Sequence, residues 1–197
     1  MRNPIFLAYT LAGGFGMAGL FAYISGSPWV VIDYLGYSET QFGWVFGINA
    51  FGFIAGSQIN RLVLRRFTTP QVTLVSGMAV FTVVLLLCIG VAFNFLSGYG
   101  ILGLLFSLLL RLGFLAPNTL ALSLVPFKQL AGSASALMGT IRMLIGAIST
   151  ALVSGLHDDT PLPMTLVIAG FSILSFISLI LMYRFGPQVN LATGKAP

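Results

Sequence analysis

Two arginines, Arg111 and Arg142, lie inside apolar stretches long enough to cross a bilayer, and their side chains are the ones best suited to recognition chemistry. Each stands about 12 residues from one end of its stretch, roughly 18 Å along a helix axis, near the middle of a hydrocarbon core about 30 Å thick. A guanidinium at that depth costs at least about 2.5–3.5 kcal/mol on insertion scales, so it must face protein, ligand or water. It keeps its charge, and its planar fork holds a carboxylate or phosphate at two points. Helical spacing puts Ser107, Arg111 and Asn118 on one face (i, i+4, i+11), Ser135, Arg142 and Ser149 on another (i, i+7, i+14), and Asn49, Gly56 and Asn60 on a third. The pattern predicts a cavity for an anionic or carboxylate-bearing small molecule, with Arg142 as main contact and Arg111 as a second. Tyr23, Asn49 and Asn118 are its neutral hydrogen-bonding neighbours. The competing structural reading turns both arginines onto helix carbonyls or toward an interface.

Other chemistry is poorly supplied. An intramembrane serine protease needs a serine and a histidine within hydrogen-bond reach at membrane depth, and the single histidine, His157, sits beside Asp158 and Asp159 in a turn. One His and two adjacent acids also converge badly on a metal. Cys88 is alone, so no disulfide forms within one chain. The reading is therefore no enzyme, no metal and no cofactor.

The elements that must position these residues follow from composition. The 197 residues are 57% hydrophobic and 7% charged, with mean hydropathy +1.01, more apolar surface than a soluble fold of this size can hide. Six apolar stretches, 5–32, 42–62, 72–93, 99–122, 132–156 and 164–185, each approach or exceed the roughly 20 residues of a spanning helix. The period-two alternation of a barrel strand is absent. The fold class is an all-α integral membrane protein of six helices forming a single domain over 1–197.

The net charge of +5 would suit nucleic acid until the charges are placed. Arg2, Arg61, Arg65, Arg66, Lys128, Arg184 and Lys195 fall on one side of the six spans, while Asp33, Glu39, Asp158 and Asp159 fall on the other. That positive-inside bias predicts both termini in the cytoplasm, a multi-pass protein of the inner (plasma) membrane, and no nucleic-acid partner. Asn60, Arg61, Arg65 and Arg66 form a basic cytoplasmic turn.

Gly26, Ser27 and Pro28 should break or kink the first span near its outer end, as a gate or as a packing kink. Gly132, Ser135, Gly139, Gly146 and Thr150 leave one stripe of the fifth span nearly bare, so another backbone can approach it. Polar groups sort onto spans one, two, four and five, around a central cavity, whereas three and six read as lipid-facing. Serines 172, 175 and 178 are expected to bond their own backbone. Two sets of three spans, each ending in a bland helix, suggest an inverted 3+3 repeat with units of about 1–95 and 96–190.

Six motifs in order, FAYISGSPWV (21–30), FGINA (46–50), INRLVLRR (59–66), APN (116–118), AGSASALMG (131–139) and TPLPM (160–164), carry a resemblance that runs through nearly the whole chain. It resembles the carboxy-terminal half of a major facilitator superfamily transporter of the bicyclomycin-resistance (Bcr/CflA) drug-efflux branch. The resemblance implies multidrug efflux by a secondary antiporter that confers drug resistance. Full-length members have twelve spans, so it also implies a half-size protein working as a homodimer, or one paired with an amino-terminal six-helix partner. Arg142 stands where the family more often has an amide, and no Asp or Glu lies inside a span to carry a proton, which leaves Asp33 at the membrane edge. A non-transporting membrane subunit is the reading from another class.

Overall fold

In the computed structural model, residues 3–156 and 158–185 are described, so the expectations for Arg2, His157 and Lys195 lie outside it. The elements are α1 (Pro4–Pro28), continued by a π-helical segment (Trp29–Tyr34), α2 (Glu39–Val63), α3 (Thr69–Ala92), α4 (Gly98–Leu124) with a 3₁₀ turn (Val125–Leu130), α5 (Ala131–Gly155) and α6 (Leu162–Phe185). Six helical spans are long and apolar enough to cross a membrane. Their starts are written in the sequence. Asn3 accepts from the Ile5 and Phe6 amides at the head of α1, and Ser97 from Gly100 N at the head of α4. Ser38 with Gln41 and Thr68 with Gln71 form capping boxes before α2 and α3. Each cap satisfies amide donors that hydrocarbon would otherwise leave orphaned.

The first helix does not break at 26–28. Pro28 removes one N–H and crowds the preceding turn, yet the chain stays helical and widens into the π winding that runs to Tyr34. Gly26 acts here as a packing site, because a Cβ would come within 2.8 Å of Met164 on α6. The expected gate is thus a continuous, locally rewound helix.

α1 and α4 pack on each other at the centre; α1 also carries α5 and α6, and α4 carries α2 and α3, while α3 lies against α6. Exchanging α1 with α4, α2 with α5 and α3 with α6 leaves this set of packed pairs unchanged. α1 is the most enclosed span, and α2 and α5 are the least. Within the six-helix unit α3 and α6 are more covered than α2 and α5, which leaves α2 and α5 as the most open helices of the single chain. An apolar span can serve core and lipid alike, so hydropathy does not separate the two.

Close backbone approach holds the pairs together. A Cβ at Gly113 would come within 2.9 Å of Ser57 N and 3.2 Å of the Gly56 carbonyl carbon, and one at Gly56 would overlap the Leu110 carbonyl. Hydroxyls add cross-helix bonds. Ser149 on α5 donates to the Ala18 carbonyl, and Ser175 on α6 to the Ala12 carbonyl, each at 2.7 Å. Ser178 bonds its own helix at Leu174 O, as expected, but Ser175 does not.

Gly132 and Gly139 meet nothing within 4 Å, so the close contact expected of that stripe is made within this chain at Gly146 alone, where a Cβ would meet the Phe21 ring at 2.5 Å. Gly113→Val should therefore force α2 from α4 and cost about 1–3 kcal/mol or more, read as a lower thermal midpoint. Gly139→Leu should leave the midpoint of the single chain unchanged.

Candidate functional site

Arg142 leaves α5 half-buried and crosses to the centre of the bundle. Its Nη2 donates to Thr119 Oγ1 on α4 at 3.1 Å, while its Nε is buried without a partner. The side chain lies over α1 at Gly13 and Gly14. A Cβ on Gly13 would overlap the guanidinium and stand 2.5 Å from Thr119 Oγ1, and one on Gly14 would sit 3.7 Å from Arg142 Cγ. The two glycines are thus the seat of an arginine stem. Thr10 Oγ1, one turn before Gly14 on α1, is also buried and unpartnered. Thr119 cannot take up the charge by itself, because its own hydroxyl is aimed at the Leu115 and Ala116 carbonyls.

Arg111 is placed otherwise. It folds back on α4 to the Ser107 carbonyl at 3.0 Å and to the Ser107 hydroxyl. That is the structural alternative weighed for it, and it follows from the i, i+4 spacing of the pair. Thr119, the partner of Arg142, is eight residues beyond Arg111 on the same helix, about 12 Å along the axis. The two arginines are therefore not brought together around one group.

Asn118 and Asn60 are corrected together. Asn60 belongs to α2, which runs on to Val63, and its side chain is buried rather than part of a turn. It donates to Asn118 Oδ1 at 3.1 Å and accepts from Asn118 Nδ2 at 2.9 Å. The reciprocal amide pair clamps α2 to α4 and uses the groups expected to face a ligand. Tyr23 and Asn49 do lie together where α1 approaches α2, and Ser27 joins them. Tyr23 Oη, Ser27 Oγ and Asn49 Oδ1 are all buried, and the Tyr23 hydroxyl is within hydrogen-bonding reach of both Asn49 and Ser27.

Sequence reasoning passed over Gly13, Gly14, Thr119 and Ser27 as site residues; the glycine pair opposite a mid-span arginine was the available signal. Arg61, Arg65 and Arg66 are exposed at one end of the bundle, with Arg61 reaching Gln58 at 3.5 Å. Among the described residues, no group of three or more His, Cys, Asp or Glu is placed to hold a metal. The placement of Arg142 predicts coupling between helices: Gly13→Val should be destabilising, and less so when Arg142→Ala removes the obstructing group. A double-mutant cycle on thermal midpoints should give an interaction energy of about 0.5–3 kcal/mol.

No family model matches the chain. It is 31% identical over 168 residues, 83% of its length, to an uncharacterized MFS-type transporter, YdgK, of Bacillus subtilis. It is also 31% identical over 201 aligned positions, 94% of its length, to a bicyclomycin resistance protein homolog of Haemophilus influenzae. The chain spans 40% and 45% of the lengths of these two proteins. Both likenesses run through the helices that hold the arginines and the amide pair, and neither relative is an enzyme by name. With six membrane-crossing helices and this similarity over most of its length, the chain belongs to the major facilitator superfamily, as a Bcr/CflA-type transporter half.

Proposed function

We propose that the chain is one six-helix half of a small-molecule efflux transporter, completed by a second six-helix unit, and that Arg142 is the main contact for an anionic or carboxylate-bearing substrate. The observation that carries this is the half-buried guanidinium with its Nε unpartnered, in a bundle whose span acids, Asp33 and Glu39, stand at the span ends and not near it. A charge at that depth needs a compensating partner, and a ligand carboxylate fits its free edge. Arg111, already held by Ser107, takes a secondary role, as does Asn118, already held by Asn60. Tyr23 and Asn49, buried beside each other, are the site's neutral hydrogen-bonding neighbours.

The second unit is a further copy of this chain. Its seat is α2 and α5, which expose Trp44, Ile48, Phe51 and Ile54 on one and Met143, Leu144 and Ile148 on the other. Halves related by an axis along the membrane normal are the general plan of such transporters, and a twofold axis closes a homodimer. The exchange relation among packed pairs supports repeat units of about 1–95 and 96–190. An amino-terminal half takes the same seat in the second reading, which relatives more than twice as long favour. The basic residues at the end that holds Arg61, Arg65 and Arg66, opposite Asp33, Glu39 and Asp158, support cytoplasmic termini and the inner membrane.

Arg142→Gln in the chain reconstituted in lipid tests the site. Binding of benzoate should weaken about tenfold or more, as loss of a charge-assisted hydrogen bond requires, while binding of benzamide changes little. Equal change for both probes rejects the anion site. Mass measurement of Gly139→Leu, which has room within one chain, tests the assembly: a lower dimer fraction at unchanged folding supports self-association, and a wild-type monomer rejects it.

A further inference from the structure

α2 and α3 both pack on α4 but hardly on each other, so a cleft opens between them along the flank of the bundle. Its volume is about 220 Å³. Val63 at the end of α2 and Phe67 in the turn line one side, Val72, Val75 and Ser76 share a face of α3 at i, i+3 and i+4, and Phe114 of α4 lies behind them. Nearly all of this lining is apolar. Val72 is buried, whereas Phe67 and Val75 are 58% and 63% exposed, so the cleft is open to the side.

Its two ends differ in chemistry. Val75 follows Thr69, the start of α3, by six residues, about 9 Å along the axis, and Phe114 stands ten residues, about 15 Å, before the end of α4. That part of the cleft lies at the depth of acyl chains. At the shallow end are Arg65 and Arg66, both exposed, in a turn whose backbone is fixed: Arg65 N donates to Leu62 O, and Arg66 N and Phe67 N both donate to Val63 O. The amino-terminal end of α3 adds its partial positive charge there. Among the described residues no acid stands at this end, since Asp33, Glu39, Asp158 and Asp159 occupy the other.

A phospholipid has the same order of parts, with an anionic phosphate at the interface and an apolar chain below it. Guanidinium groups hold phosphate at two points, and basic pockets between spanning helices seat anionic head groups. We propose that the α2–α3 cleft holds one anionic phospholipid, with its phosphate on Arg65 and Arg66 and an acyl chain laid along Val75 and Phe114. A zwitterionic lipid brings the same chain, but with a positive charge that the arginines repel. The exchange relation among the helices gives a counterpart cleft between α5 and α6 at the other end, lined in part by Trp29, Val153, Thr160 and Met164. There the neighbouring charge is Asp158, bonded to Thr160, so the basic head site is missing. The lipid site is also separate from Arg142, which leaves α5 for α1 and α4.

Native mass spectrometry of the full chain in dodecyl maltoside, titrated with dioleoyl phosphatidylglycerol or dioleoyl phosphatidylcholine, tests the proposal. The wild type should take one phosphatidylglycerol per chain with a preference of about tenfold or more over phosphatidylcholine. Arg65→Gln combined with Arg66→Gln should weaken phosphatidylglycerol about thirtyfold, the effect of two basic contacts near a membrane surface, and abolish the preference. Arg61→Gln, two residues before Val63 and so about 200° around α2 from it, should change little. Val75→Trp fills the cleft from its exposed rim and should weaken both lipids at an unchanged thermal midpoint. Equal binding of the two lipids by the wild type overturns the proposal. An Arg61→Gln loss as large as that of the Arg65 and Arg66 pair also overturns it, because it marks a diffuse basic surface. Phosphatidylglycerol binding that survives Val75→Trp overturns it as well, and self-association lost in that variant then assigns the cleft to a second copy of the chain.

Discussion

Two serine hydroxyls from different helices donate to carbonyls of one helix, and that shared acceptor is the surface the bundle is built on. Ser149 reaches Ala18 and Ser175 reaches Ala12, both on α1. A backbone carbonyl can be reached across helices where few side chains stand in the way, and α1 presents glycine at 13, 14, 16, 19 and 26. Each is approached by another helix: Arg142 and Ile145 of α5, Leu115 of α4, Ile168 and Met164 of α6. In lipid there is little hydrophobic gain in bringing apolar helices together, so contact area and hydrogen bonds decide the pairing. A helix that offers close contact to three partners and carbonyl acceptors to two of them becomes the hub.

The same bare surface determines the electrostatics. Arg142 can lie over α1 because Gly13 and Gly14 leave room for it, and its charge then sits among neutral groups with a single side-chain bond to Thr119. Arg111 has a nearer solution in the Ser107 carbonyl and hydroxyl, one turn back on its own helix. Two arginines of similar nominal depth therefore differ in what they have left to offer. The one with local partners is largely satisfied, and the one that crosses helices is not.

Span number, helix type and most helix starts were legible in the sequence because lipid dictates them: a backbone with no water must bond within its own helix, over a fixed length. Ser38 with Gln41 and Thr68 with Gln71 could be read at three-residue spacing. Helix neighbours were not legible to the same degree. Asn60 looked like part of a basic turn because Arg61 follows it, but its partner Asn118 is 58 residues away. Gly132 and Gly139 form a stripe by periodicity, and nothing in periodicity says whether a helix of the same chain covers it. By itself Gly13 carries no mark of a site in the sequence, and only the crossing of α5 makes it the seat of a guanidinium. Helical period tells which residues share a face; which helix meets that face is set by residues far along the chain.

That distance has a consequence for synthesis. The hydroxyls that bond α1 lie 131 and 163 residues after the carbonyls they reach. At about 5–20 residues per second, α1 waits roughly 7–30 s between its own emergence and the arrival of α5 and α6. Through that interval its glycine face has neither serine donors nor Arg142 against it. The first helix is the centre of the finished bundle and the longest exposed during its making, so the nascent chain depends on whatever shelters a bare, small-residue helix until its late partners enter the membrane.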